Sequence, residues 1–129
     1  MTTYNNSHIS VLDETTLTSL GGTSGLASPL VKRVIVLYRQ EAAKLVHGIE
    51  NAIHADDAEA LSRSAHTLKS SSASIGAYSL SHVAKQMEHL ARQQRMVEVQ
   101  ALLTILQREF SQLMDELTLF EQKLTPFIA

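Results

Sequence analysis

An all-α fold, an antiparallel up-down four-helix bundle with a short N-terminal lid helix, is predicted by three observations. Apolar residues recur at steps of three and four over most of the chain, the spacing of one helix face rather than the alternation of a strand. Only 5 Gly and 2 Pro interrupt the 129 residues, and the apolar repeats are joined by short connections, as antiparallel neighbours require. With 44% hydrophobic and 19% charged residues, the chain can bury about two thirds of its unfolded surface in one core. One helical domain over 11–129 follows, behind a flexible polar lead-in, 1–10, without periodicity.

Asp13 can cap a short lid helix through Leu17 and Leu20, and Gly21-Gly22 stops it. Ser28-Pro29 is a strong start, a capping hydroxyl followed by the residue best suited to the first helical position. The long helix that follows reaches about Ala55, its broad apolar face drawn from Val31, Val34, Leu37, Tyr38, Ala42, Leu45, Ile49, Ala52 and Ile53. Asp56 can cap the next helix, with Glu59 completing a capping box. Its inward seam is Ala58, Leu61, Ala65, Leu68, Ser72 and Ile75, and Gly76 can close it.

A fourth helix with seam Leu80, Val83, Met87 and Leu90 runs to about Gln93. Its phase does not extend into the strong repeat downstream, so a break falls between Gln94 and Val97, where neither Gly nor Pro marks it. The last helix alternates steps of four and three through Val99, Leu103, Leu106, Phe110, Leu113, Leu117, Phe120, Leu124 and Phe127, and Thr125-Pro126 should stop it. It is about 40 Å long, about half as long again as the helix before the Gly76 turn. Its far end therefore covers the lid helix, extends freely, or pairs with a second copy. The start at Met1 and the ending at Thr125-Pro126 read as those of a free-standing protein.

Composition excludes several classes. A formal net charge of −2, with 11 scattered basic residues, lacks the concentrated positive surface that nucleic acid requires. No cysteine is present, which removes disulfides, thiolate metal sites and cysteine nucleophiles. No apolar run reaches the length of a membrane span and no signal peptide is visible, so a cytoplasmic location with no membrane partner is expected.

The chemistry gathers on the third predicted helix. His66 lies one step round from the seam residue Ala65, on the stripe Ser62, His66, Lys69, Ala73, so its imidazole should stand at the rim in water. A neutral, solvent-facing imidazole is a competent nucleophile toward phosphorus. The small Ser62, Ser70 and Ala73 leave room for another protein to bring a phosphoryl group in, and Lys69 can pair with its oxygens. On the neighbouring helix Glu88 sits one step past its own seam residue Met87, just as His66 sits past Ala65. It can accept a hydrogen bond from one ring nitrogen and leave the other free to attack.

Ala65-His66-Thr67-Leu68-Lys69, then Ser71-Ser72, Gly76-Ala77, Leu80 and Leu90, resemble the signature of histidine-containing phosphotransfer (HPt) domains. Val11-Leu12-Asp13 to Gly21 and Ile53 to Leu61 extend the similarity over most of the chain. The resemblance implies that His66 is phosphorylated through Nε2, that Lys69 stabilises the phosphoryl group, and that Glu88 holds the other ring nitrogen. It also implies a carrier rather than an enzyme, taking the phosphoryl group from a receiver-domain aspartate and passing it to another response-regulator receiver. Receivers and a hybrid sensor histidine kinase would be the partners of a monomer; no cofactor would be bound, and Mg²⁺ would belong to the receiver. Ser70 departs from the family's usual glycine, which predicts weaker or more selective transfer. Arg92, one turn beyond Glu88, is a further candidate for partner contact. No glycine-rich phosphate loop is present, so the chain should not phosphorylate itself from ATP.

Rival readings are weaker. His47 and His54, and His82 and His89, are each seven apart, about 10 Å along a helix and too far for one metal ion without ligands from elsewhere; no metal site is expected. A bundle enzyme would need inward paired carboxylates or a Glu-x-x-His motif. A non-phosphorylated adaptor that binds or sequesters a receiver or kinase remains the alternative.

Overall fold

The computed structural model describes residues 11–128; the lead-in, with His8, lies outside them. Among the described residues six α-helices follow one another: α1 (Glu14–Ser19), α2 (Pro29–His54), α3 (Ala58–Ser74), α4 (Tyr78–Arg92), α5 (Met96–Ala101) and α6 (Leu103–Ile128). A 3₁₀ segment, Gly22–Ala27, joins the first two. The four long helices close a ring in which α3 packs most extensively on α4, α2 packs on α3, and α6 touches both α4 and α2. The 3₁₀ segment packs against both α1 and α6, so the lid covers one end of the bundle.

Local chemistry accounts for the starts. Asp13 accepts a hydrogen bond from the Thr15 amide and Ser28 from the Leu30 amide, each satisfying an amide that a helix N-terminus leaves free. The cap of α3 is Asp57 rather than Asp56: its carboxylate accepts from the Ala60 amide, while Asp56 takes φ 54° in the turn before it. Glu59 then falls one place short of the position a capping box needs.

The three connections between α2 and α5 share one backbone solution. Asp57 donates to the Ala52 carbonyl, Ala77 to Ser72 and Arg95 to Leu90, with Asp56, Gly76 and Gln94 at positive φ in between. This is the left-handed closure that ties off the last helical carbonyls. Gly76 is the crowded case, since a Cβ there would lie 2.6 Å from the carbonyl oxygen of Asp13. That closeness lets the Asp13 amide donate to the Gly76 carbonyl and seat the lid on the α3–α4 turn.

The expected seam of α3 is buried at every position, from Ala58 to Ile75. On α2 the face is rotated: Ile35 and Val46 are buried, Val34, Leu45 and Ile53 are half-buried, and Leu37 is 57% exposed. The neighbours α3 and α6 decide which part of a wide apolar face turns inward, and α2 turns toward Ile35. The last helix is broken at Leu102 into α5 and α6, and it continues past Thr125-Pro126 to Ile128 instead of stopping there. A proline so near a helix end forfeits one backbone bond in a turn with few left to lose. Val99, Leu106, Leu113, Leu117, Phe120 and Leu124 are buried within this chain and Leu103 and Phe110 half-buried, the Phe127 side chain lying outside the description, so most of the described apolar seam is covered by the chain itself. Among the described residues no helix is long and apolar enough to cross a membrane.

Candidate phosphoryl-transfer site

The close α3–α4 pairing brings the two off-seam stripes face to face. The His66 ring, its side chain 54% exposed, has Nδ1 2.7 Å from Oε2 of Glu88, whose own side chain is only 5% exposed. A carboxylate only accepts, so Nδ1–H donates and the neutral ring keeps its unprotonated lone pair on Nε2. Lys69 Nζ donates to Oε1 of the same carboxylate at 2.9 Å, and Arg92 Nη2 reaches Oε2 at 2.6 Å. Burial pushes the Glu88 carboxyl upward, but the hydrogen bonds from Lys69 and His66 and the positive charge of Lys69 outweigh it and hold the group below its ordinary value of 4.5.

Secondary contacts hold this arrangement in register. Ser81 on α4 donates to the Lys69 carbonyl at 2.8 Å, and Arg92 Nε donates to Ser62 Oγ at 3.3 Å. Ser62 is thus half-buried and engaged by Arg92, Ser70 is exposed one turn from His66, and Ala73 is half-buried a turn further along the stripe. At the far end of α4, the buried Ser79 donates to the buried Glu109 carboxylate at 2.6 Å.

A groove of about 480 Å³ opens beside His66, Lys69, Glu88 and Arg92, and His82, Lys85, Gln86 and His89 complete its walls. From the sequence His82 and His89 read only as a metal pair, and Lys85 carries no role there. The signal was present in the spacing: residues 82, 85, 89 and 92 recur at three, four and three on the outward face of α4. No three His, Cys, Asp or Glu side chains among the described residues come together as a metal site.

No curated protein matches this sequence. A solved structure, histidine-containing phosphotransfer protein B (HptB) from Pseudomonas aeruginosa PAO1, is similar over 90% of this chain and 96% of its own, at 26% identity and a TM-score of 0.77. The family model for the Hpt domain matches residues 33–118, which contain both helices of the site. The chain therefore belongs to the Hpt domain family, the phosphotransfer intermediates of two-component signalling.

Proposed function

We propose that His66 takes a phosphoryl group from the phospho-aspartate of a receiver domain and passes it to the aspartate of another response-regulator receiver. The observation that carries this reading is the 2.7 Å contact of Nδ1 with the buried Glu88 on a ring otherwise open to solvent. The Nε2 lone pair attacks phosphorus in line, the N–P bond forms as the bond to the aspartate oxygen breaks, and the aspartate leaves as a carboxylate. Positive charge that develops on the ring is met by Glu88 across the Nδ1–H bond. Lys69, held on the other carboxylate oxygen in the resting protein, turns to the phosphoryl oxygens once the group is in place. The reverse sequence unloads it.

The partner approaches over Ser62, Ser70, Ala73 and Arg92 in this reading. Receivers, and a hybrid sensor histidine kinase upstream, are the partners in this reading, in the cytoplasm and with the chain as a monomer. Mg²⁺ is assigned to the receiver and no cofactor to this chain, which acts as a carrier without autokinase activity. Incubation with a ³²P-labelled phospho-receiver tests the proposal. Acid-labile, alkali-stable label on the protein, lost in His66→Gln, is expected. Tight receiver binding with no label would instead support the non-phosphorylated adaptor.

A further inference from the structure

The groove beside His66 holds more positive charge than the chemistry of that ring uses. Its walls carry three cationic side chains, Lys69, Lys85 and Arg92, and one carboxylate, Glu88. That carboxylate is buried and already engaged by His66, Lys69 and Arg92. Two positive charges are in excess there, on a chain whose formal net charge is −2. Of the three, Lys85 alone has no ion-pair partner among the described residues; it is exposed and stands between His82 and His89 on the outward ridge of α4. It is one turn from Glu88 and lines the same groove as His66, so it borders the surface a phosphoryl donor must cover.

Resting on the phosphocarrier reading, we propose that Lys85, flanked by His82 and His89, is a partner-selecting contact that favours receivers with an acidic rim beside the phosphorylated aspartate. A carboxylate arriving at Lys85 gains an ion pair without breaking one inside this protein, whereas at Lys69 or Arg92 it would compete with Glu88. A basic rim would meet an unneutralised like charge and be rejected. Charge of one sign lining a concave surface also focuses the field, raising encounter rates with an opposite partner in a salt-dependent way.

The test uses two sets of purified receiver domains, acidic and basic beside their phosphorylated aspartate. Association rates are measured at about 20 mM and about 300 mM NaCl, across a wide range of screening. Lys85→Glu should slow the acidic set by about threefold to tenfold at low salt, Lys85→Gln by less, and the difference should shrink at high salt. Arg108→Glu makes the same charge change on an exposed position of α6 and should leave the rates near wild type. Rates indifferent to rim charge, or equal losses in Lys85→Glu and Arg108→Glu, would overturn the proposal. Charge-dependent association by a wild-type protein that takes no label would support the contact while overturning the phosphocarrier reading.

Discussion

Glu88 shows how one buried side chain organises several exposed ones. A lone carboxylate at this depth would be costly, and three donors on two helices make it tolerable: His66, Lys69 and Arg92. The consequence is a pH dependence of stability with a definite sign. Because the folded carboxyl is held below its ordinary 4.5, its contribution is fully present above that pH and is lost as pH falls through the lower folded value. Thermal unfolding of wild type against Glu88→Gln should show an advantage of about 1–2 kcal/mol near pH 7 that fades as the pH is taken below the ordinary carboxyl value of 4.5. An advantage that stays constant over that range would place the stabilisation in packing rather than in charge. Ser70, by contrast, touches none of this network; its interest lies in what it presents to a partner.

The helices are positioned by their joints and by a few buried polar ties. Three turns with the same left-handed closure join α2, α3, α4 and α5 in succession, and only the one at Gly76 carries a residue that advertises it. Gln94 adopts positive φ without being glycine, so the break after α4 was visible only as a slip in hydrophobic phase. Inside the bundle, Tyr38 of α2 and Ser72 of α3 share a hydrogen bond of 2.7 Å. Burial, partly offset by that bond, pushes the Tyr38 phenol up to about 12, so it stays neutral at any working pH. Tyr38→Phe leaves the Ser72 hydroxyl, itself fully buried, without this partner. It should cost about 1–2 kcal/mol in chemical denaturation, with an unchanged helical circular dichroism spectrum.

For the molecule as a unit, the ring of α2, α3, α4 and α6 places its widest contact at α3–α4, which is where the site is. Along the long α6, Leu113, Leu117, Phe120 and Leu124 are buried within the chain. Arg39 of α2 donates to Thr118 and Glu121 along the same helix. Sedimentation over a hundredfold concentration range should therefore give one species of about 14.2 kDa. A mass that doubles with concentration would show that another surface pairs, the exposed Leu30 and Leu37 of α2 being the first to substitute.

The periodicity of the chain carried the helical class, the α3 seam residue for residue, and the stripe bearing His66, because burial of a helix face is written in steps of three and four. The pairing of His66 with Glu88 was legible too, since each sits one step past a seam residue. Tertiary packing alone decided which part of the wide α2 face turned inward, that Asp57 rather than Asp56 capped α3, and that the last repeat broke at Leu102. It also decided that His82, Lys85 and His89 share a groove with His66. Those choices depend on which neighbour each helix meets and at what rotation, and neither is encoded in the spacing of one helix taken alone.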